Sequence, residues 1–261
     1  MIKDNKVVQF TKDEMWLSNM IKCDVILDGV TYCSVENAFQ AAKCLKPTAR
    51  KQFEDLDGYQ AKKLGKTVDL RSDWEENKLI ILLDLVRQKF NQPKFKTLLL
   101  ETKNMYIQEG NLWNDRFYGV CLKTGIGANY LGLMLMQVRK ELQEVEYLDK
   151  ILKATGDRVF SVRDREADSD NIYVGRPSIL GNPYATSKTL QSRIDNCMKF
   201  RTHLQKIIKE GKNLVYIQAV KDLKGKNVIC YCSNGTTSVS EGARYCHSHI
   251  LLSASDMLNK E

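Results

Sequence analysis

Residues 23–43 read CDVILDGVTYCSVENAFQAAK and predict a β-hairpin that is followed directly by a helix. The Asp28-Gly29 pair lies between two short β-branched runs, which is a strong signal for a two-residue turn. Ser34 is a favourable N-cap, and Val35 and Phe39 begin an apolar stripe at helical spacing. We therefore expect the hairpin to lead into a helix with a buried face.

Outward from this stretch, the pattern predicts a mainly helical N-terminal part with a little strand. The other predicted helices of this part cover residues 48–56, 58–66, 74–91, 93–102 and 129–149. Residues 109–127 are rich in Gly, Asn and Trp and predict an irregular segment. The hydrophobic pattern then weakens between residues 149 and 157.

The second part of the chain alternates strands with helices, which favours an α/β domain with a partly parallel sheet. Predicted strands cover residues 158–162, 172–174 and 226–232, and predicted helices cover residues 187–210 and 240–259. The fold class is therefore predicted as α+β. Its domains are a mainly helical N-terminal domain (1–148), a linker (149–157) and a smaller α/β domain (158–261).

The composition favours a soluble globular protein: 43% of the 261 residues are hydrophobic and 28% are charged, which excludes wholesale disorder. No apolar run approaches the roughly 20 residues that a membrane helix needs, so no membrane partner is expected. The N-terminus is polar, and the eight cysteines are scattered as in a reduced, cytoplasmic protein. The net charge of +8 is compatible with phosphate-bearing ligands without establishing them. The sequence does not predict the oligomeric state.

Two segments of the first domain concentrate polar and aromatic groups. Glu36, Gln40 and Lys43 share one helix face, although a solvated face explains this spacing better when it is taken alone. In the loop EGNLWNDRFYG, Asn111 and Asp115 flank Trp113 at alternate positions. This loop fits a ligand site and a Trp-anchored turn equally well.

In the second domain, residues 173–184 read YVGRPSILGNPY and offer backbone N–H groups and a cation to an anion. A rigid structural turn is an equally good interpretation. Further along, the chain holds a group of candidate zinc ligands, namely Cys230, Cys232, Cys246, His247 and His249. Their spacing matches no strong zinc template, so buried thiols are the preferred interpretation.

Seven motifs occur in an order that resembles the NADAR family of N-glycosidases, over about residues 8–145. They are WLSN (16–19), SVENAFQAAK (34–43), AKKLG (61–65), LRSDW (70–74), KFNQ (89–92), EGNLWNDRFYGV (109–120) and LGLMLMQVR (131–139). Family members cleave an N-glycosidic bond at a ribose carbon. Some act on phosphoribosylamino intermediates of riboflavin synthesis, and others remove ADP-ribose from guanine bases in DNA. The chain departs from the usual pattern at Met20, Asn37 and Tyr118, and Met20 changes an aromatic position that would contact the base.

The resemblance implies roles that agree with the chemistry of the bond. Loss of a base from ribose builds positive charge at the anomeric carbon, and the leaving nitrogen must be protonated or a water activated. Glu36 and Asp115 are the predicted catalytic pair, and Lys43 would bind a phosphate or form a Schiff base with ring-opened ribose. The predicted substrate-binding residues are Asn19, Gln40, Lys62, Arg71, Trp74, Asn111 and Trp113. For Arg71 and Trp74, a structural role is an equally good interpretation, and the chemistry requires no metal or cofactor.

Residues 158–258 resemble an uncharacterised family that is common in phages and bacteria. Its motifs are YxGRPSxLGNPF, a late CWC and a CHG, matched here by YVGRPSILGNPY, Cys230-Tyr-Cys232 and Cys246-His247. The Gly-Asp that usually follows the CH is Ser248-His249 in this chain. The resemblance implies no activity beyond a nucleotide-binding pocket.

We expect an enzyme that removes ADP-ribose from a nucleobase or from DNA, in the host cytoplasm if a phage encodes it. Its partner would be an ADP-ribose-containing nucleotide or an ADP-ribosylated nucleic acid, and the activity would reverse a toxin or host-defence modification. A hydrolase of phosphoribosylamino-pyrimidine intermediates is the second enzymatic hypothesis. A non-catalytic protein that senses ADP-ribose is the third.

Overall fold

The computed structural model describes residues 2–162, 171–184, 189–231 and 245–260. It divides the chain into two compact units, residues 1–143 and 144–261, and each unit has its own hydrophobic core. Helices dominate the first unit, and a small parallel sheet with helices forms the second. The predicted α+β fold class is confirmed.

The helices of the first unit are α1 (Val35–Ala41), α2 (Pro47–Arg50), α3 (Gly58–Leu64), α4 (Trp74–Asn91), α5 (Pro93–Glu101) and the start of α6 (Tyr130–Thr155). Its strands are β1 (Ile2–Lys3), β2 (Lys6–Val7), β3 (Lys22–Leu27), β4 (Val30–Ser34), β5 (Tyr106–Ile107), β6 (Gly110–Asn111) and β7 (Val120–Cys121). Short 3-10 helices cover Lys12–Leu17 and Lys51–Phe53. The segment 48–56, predicted as one helix, is therefore α2 and a 3-10 turn.

Strands β3 and β4 form the predicted antiparallel hairpin, with Leu27 opposite Val30. Asp28 and Gly29 both have positive φ angles, 48° and 80°, as a two-residue hairpin turn requires. Ser34 ends β4 and caps α1, because its side chain accepts a hydrogen bond from the backbone N–H of Asn37. The hairpin therefore delivers the chain directly into the helix that carries Glu36.

The second unit is built on a three-stranded parallel sheet in the order β8 (Val159–Ser161), β10 (Val228–Cys230), β9 (Ile172–Tyr173). Its helices are α7 (Leu190–Glu210), α8 (Leu214–Lys221) and α9 (His247–Leu258). Phe200, Val220 and Leu251 are completely buried in its core. The sequence pattern does not predict helix α8. Cys232, at the end of a predicted strand, and residues 240–244, at the start of a predicted helix, lie outside the described part of the chain.

The predicted linker, residues 149–157, is helical as far as Thr155, and a 3-10 turn then covers Gly156–Arg158. Leu148 and Ile151 belong to the buried core of the second unit, and burial of these side chains accounts for the longer helix. Helix α6 therefore supplies residues to both cores. Within the described ranges, no helix combines the length and apolarity needed to cross a bilayer.

Candidate functional site

A cavity of about 850 Å³ opens in the first unit. Eight of the ten residues predicted to act on or bind the substrate line it: Asn19, Glu36, Gln40, Lys43, Lys62, Trp74, Trp113 and Asp115. They come from separate parts of the sequence, so the tertiary fold brings them together. Met20, which departs from the family pattern, also lines the cavity.

The first group of cavity residues is held by helix α1, every residue of which is buried. The backbone N–H of Glu36 donates to the carbonyl of Asn19 over 3.0 Å, which ties the WLSN segment to the start of the helix. One turn later, the amide of Gln40 donates to Glu36 Oε1 over 2.9 Å. Only 7% of Glu36 is exposed, so the solvated-face interpretation of this helix is wrong.

Burial raises the pKa of the Glu36 carboxyl, while Lys62, the Gln40 hydrogen bond and Lys43 act in the opposite direction. The Lys43 amine lies just beyond α1 and donates to the carbonyl of Gly65 over 2.9 Å. Burial lowers the pKa of Lys43, and Lys62 lowers it further against the opposing effect of Glu36. The site therefore holds a carboxyl and an amine that are both biased towards their neutral forms.

The second group of cavity residues lies on the loop that follows β6. Asp115 Oδ1 accepts hydrogen bonds from the backbone N–H groups of Phe117 and Tyr118, each over 3.0 Å. Asn111 is completely buried and bonds in both directions to the backbone of Asp115, at 2.7 and 2.9 Å. Asn111 therefore holds the loop in place and does not line the cavity.

Glu109 also lines the cavity, although no sequence pattern distinguishes it as a site residue. Its Oε2 atom is buried and has no hydrogen-bond partner among the described residues. Burial, together with the charge of Asp115, raises the pKa of Glu109 to about 7. The available signal was its place as the first residue of the EGNLWND motif, one position before a strand.

Two glycines allow the close packing around these side chains. A Cβ on Gly119 would lie 1.9 Å from Glu109 Oε2, and a Cβ on Gly65 would lie 1.9 Å from Gln40 Oε1. Any larger residue at either position would have to displace the buried polar group. The glycines at the end of AKKLG (Gly65) and of FYG (Gly119) are thus explained by their contacts with side chains that line the cavity.

The aromatic residues around the cavity differ in exposure. Trp113 is 65% exposed at the cavity, where its ring is available to stack on a ligand. Trp74 is buried, and its ring centroid lies 5.0 Å from that of Phe39. Trp74 therefore packs in the core, as its structural interpretation predicts, and also forms part of the cavity wall.

Arg71 does not line the cavity. Its guanidinium forms a two-pronged ion pair with Asp73, at 2.6 and 2.8 Å, directly before α4. Its backbone N–H donates to the carbonyl of Lys43 over 2.9 Å, so the segment around Arg71 contacts the site through its main chain. The Arg71 side chain therefore forms a structural ion pair, which was the alternative interpretation of this residue.

Lys89 of the KFNQ motif forms a hydrogen bond that holds the WLSN segment in place. Lys89 is completely buried, and its amine donates to the carbonyl of Ser18 over 2.7 Å. The same amine lies 5.0 to 5.1 Å from the ring centroids of Phe95 and Phe90. Burial lowers the pKa of Lys89 to about 8. Lys89 therefore fixes the backbone next to Asn19 without itself lining the cavity.

The second unit contains a smaller cavity of about 300 Å³. Residues of both motifs of this unit line it: Arg176, Asn182 and Tyr184 from YVGRPSILGNPY, and Cys230 and His247 from the cysteine and histidine motifs. His249 is bonded elsewhere, because its Nδ1 lies 2.8 Å from Thr155 Oγ1. Cys232 lies outside the described residues. Binding of an anion or a nucleotide by this unit remains a prediction.

Comparison with known proteins agrees with this two-part organisation. Residues 6–143, more than half of the chain, match the NADAR domain, and residues 161–257 match a domain of unknown function, DUF4326. The E. coli protein YbiA, whose structure was solved by NMR, covers 57% of this chain with 28% identity and a TM-score of 0.50. The match includes 90% of the YbiA chain.

Two curated relatives carry names from riboflavin biosynthesis. A maize chloroplastic riboflavin biosynthesis protein is 30% identical over 129 residues, which are 44% of this chain and 20% of that protein. A riboflavin biosynthesis protein of Vibrio vulnificus is 33% identical over 135 residues, which are 49% of this chain and 36% of that protein. The matches thus span about a third or less of these relatives. The chain belongs to the NADAR family, whose members are N-glycosidase-like hydrolases.

Proposed function

We propose that the first unit is an N-glycosidase that hydrolyses the bond between ribose and a base nitrogen in ADP-ribosylated substrates, and that it removes ADP-ribose from nucleobases or DNA. The observation that carries this proposal is the convergence of Glu36, Lys43, Glu109 and Asp115 on one cavity. Cavities of roughly 300–1,000 Å³ are typical of small-molecule sites, and this one is within that range.

Glu36 is the group that faces the developing positive charge. Departure of the base makes the ribose ring cationic at the anomeric carbon, and a carboxylate held nearby lowers the energy of that state. Lys62, Gln40 and Lys43 favour the ionised form of Glu36 against the effect of its burial on the pKa. In the bound complex the cationic ribose would add to this effect, because opposite charges attract strongly in a buried site.

Glu109 and Asp115 divide the proton transfers between them. With a pKa of about 7, close to half of the Glu109 carboxyls carry a proton at neutral pH, so Glu109 can protonate the departing base nitrogen. Asp115 takes a proton from the attacking water, and the hydroxide adds to the anomeric carbon. Transfer of that proton back to Glu109 restores both groups, and the products are a free base and a ribose hydroxyl.

The remaining cavity residues match the other parts of an ADP-ribosylated substrate. The exposed ring of Trp113 is suited to stack on a base, and Lys62 and Lys66 offer positive charge to the diphosphate. Asn19 lies beside Glu36 and would contact ribose hydroxyls. A DNA substrate would add phosphate contacts, so its binding should weaken steeply with salt, whereas binding of a free nucleotide should weaken only slightly.

A second candidate is hydrolysis of a phosphoribosylamino-pyrimidine, which the names of the curated relatives favour. The same carboxyl groups would act on the same kind of bond, with a single phosphate bound by lysine. The two candidates differ in the leaving group and in the size of the phosphate-bearing part. They are therefore separated by products and not by the identity of the catalytic residues.

The deciding experiment is a product assay by mass spectrometry on ADP-ribosylated guanine DNA and on a phosphoribosylamino-pyrimidine. Wild type is compared with Glu36→Gln and with Glu101→Gln, which removes an exposed carboxyl at the end of α5. We expect free ADP-ribose from the DNA with wild type and Glu101→Gln, and turnover that is lower by roughly a thousandfold with Glu36→Gln.

The other outcomes have distinct meanings. Cleavage of the pyrimidine alone would replace the ADP-ribose proposal with the riboflavin one. Tight binding of ADP-ribose without cleavage of either substrate would favour a sensor. Equal activity of Glu36→Gln and wild type would show that Glu36 does not act on the reacting atoms.

A further inference from the structure

Three metal-ligating side chains meet in the core of the second unit. Cys230 ends strand β10, Cys246 is the N-cap of helix α9, and His247 is the first residue of that helix. All three are buried, and their ligand atoms, the two Sγ atoms and His247 Nδ1, lie within 4.8 Å of one another. The end of one strand and the start of one helix thus present two thiols and an imidazole to a single point.

The two sulfur-to-nitrogen distances within this cluster match those around a tetrahedral ion. Cys246 Sγ lies 3.6 Å and Cys230 Sγ lies 3.9 Å from His247 Nδ1. In a tetrahedral zinc site, Zn–S bonds of about 2.3 Å and Zn–N bonds of about 2.0–2.1 Å place sulfur and nitrogen ligands roughly 3.6 Å apart. These two separations therefore lie within a few tenths of an ångström of those around a bound zinc ion.

A hydrogen bond on one side of His247 fixes which of its ring nitrogens faces the two sulfurs. Its Nε2 lies 2.8 Å from the carbonyl oxygen of Val174. A carbonyl can only accept, so Nε2 carries the proton and Nδ1 presents its lone pair to the sulfurs. The ring of Phe200 packs edge-on against the imidazole, with centroids 5.2 Å apart, and holds it in this orientation.

The Cys246 sulfur is also prepared for the deprotonated state. It lies 3.1 Å from Ser248 Oγ and accepts from the Ser248 backbone N–H over 3.5 Å. Both groups can donate to a thiolate, which is the form that binds metal ions. These contacts are the outer partners that well-formed metal sites provide for their ligands.

Two of the three residues also border a cavity. Cys230 and His247 form part of the wall of the 300 Å³ cavity, beside Gly175 and Arg176. The cavity therefore connects the YVGRPSILGNPY motif with the ligands of the cysteine and histidine motifs. Two thiolates and an imidazole form a soft ligand set that suits zinc and cobalt and disfavours magnesium or calcium.

We propose that Cys230, Cys246 and His247 bind a divalent ion of the zinc class. Binding releases the thiol protons, since both sulfurs coordinate as thiolates while the imidazole coordinates in its neutral form. This site is distinct in its residues and chemistry from the cavity of the first unit, so it does not depend on the proposed glycosidase activity.

The test uses the full-length chain, stripped of metal under reducing conditions and titrated with Co²⁺ and then with Zn²⁺. We expect one equivalent of Co²⁺ to produce sulfur-to-cobalt charge-transfer absorbance, with the intense visible bands of tetrahedral geometry, and Zn²⁺ to abolish both. His247→Gln and Cys230→Ser should weaken Co²⁺ binding by at least about tenfold, as loss of one ligand would. Cys23→Ser, which alters a buried thiol of the first unit, should bind Co²⁺ like wild type.

The wild-type spectrum keeps the proposal testable even if a variant fails to fold. Absence of charge-transfer absorbance at one equivalent of Co²⁺ would overturn the proposal. Equal loss of the absorbance in Cys23→Ser and Cys230→Ser would overturn it too, because other thiols would then be the ligands. Far-UV circular dichroism of each variant distinguishes a lost ligand from a lost fold.

Discussion

The two cavities of this chain are lined by different kinds of reactive side chain. The larger one holds carboxyl groups and amines, and burial moves the pKa values of Glu36, Lys43 and Glu109 away from their ordinary ranges. The smaller one is lined by the thiol of Cys230 and the imidazole of His247, which lie close to a second thiol, Cys246. The first set can exchange protons with a bound substrate directly, whereas the second set is suited to hold an ion.

The two cavities also differ in how the chain builds them. The residues of the larger cavity come from segments between Gln9 and Leu131, so its geometry depends on the packing of the whole first unit. The cysteine and histidine cluster needs only the end of β10 and the start of α9. The first site should therefore be sensitive to small changes in packing, while the second should depend mainly on its ligands.

The largest effect is expected at Lys43, where a Schiff-base role and a phosphate-binding role predict different effects of substitution on turnover. Lys43→Arg keeps the positive charge but cannot form an imine with ring-opened ribose. Burial lowers the pKa of Lys43 and so increases the neutral fraction of its amine. In a covalent route, this amine adds to C1 of the ring-opened substrate, the base nitrogen leaves as the imine forms, and water then hydrolyses the imine to release the ribose. On this covalent route, which differs from the direct attack by water described above, Lys43→Arg should lower turnover by roughly a thousandfold. Borohydride should trap a substrate adduct on Lys43 of wild type, measured by peptide mass spectrometry.

The control for this experiment is Lys63→Arg, an exposed lysine of helix α3 outside the cavity lining. It should keep wild-type turnover and still form the adduct. Near-normal turnover of Lys43→Arg, together with no trapped adduct in wild type, would contradict the covalent role and assign Lys43 to phosphate binding.

A somewhat smaller effect is expected at Glu109, and it should depend on pH. As the pH rises through about 7, Glu109 loses the proton that it would donate, so kcat/KM of wild type should fall across this range. Glu109→Gln should lower kcat/KM by about a hundredfold at pH 6 and should lack this decline. The measurement is kcat/KM from pH 5 to 9. A variant profile parallel to that of wild type would exclude Glu109 as the acid.

A moderate effect should follow from crowding the larger cavity. Gly65→Ala places a methyl group 1.9 Å from Gln40 Oε1, so the Gln40 side chain, which donates to Glu36, must shift. We expect a loss of stability of about 1–3 kcal/mol and a drop in turnover of about tenfold. Chemical denaturation and steady-state assays measure the two effects.

Gly156→Ala is the matched control, because a Cβ at Gly156 meets nothing within 4 Å. Its stability should stay within about 0.5 kcal/mol of wild type. If Gly65→Ala were as mild as this control, Gln40 would be able to relocate without consequence for the site.

Parts of the fold could be predicted from the sequence, because some signals are local. The turn at Asp28-Gly29 and the Ser34 cap depend on neighbouring residues, and both occur as predicted. The α+β class follows from periodicities that are also local. The burial of Glu36, by contrast, depends on elements packed around α1, so spacing alone favoured a solvated face.

The remaining differences also have physical reasons. Glu109 becomes chemically unusual only through burial and the charge of Asp115, and neither is visible in the sequence. The helix through residues 149–155 forms because Leu148 and Ile151 are buried in the second core. Likewise, the cysteine and histidine motifs fit no standard spacing, since their ligands meet across a strand end and a helix start. Tertiary contact decides each of these cases.

The smallest effect on turnover is expected from removing metal. Dialysis of the full chain against dipicolinate should strip an ion from Cys230, Cys246 and His247, while the proton carriers of the larger cavity are unchanged. Turnover should stay within about twofold of the untreated protein, as expected for independent sites. The measurement pairs the product assay with metal content by mass spectrometry, and His247→Gln should behave like the dialysed protein. Turnover that falls in step with metal content and returns with Zn²⁺ would show that the chemistry of the two cavities is coupled.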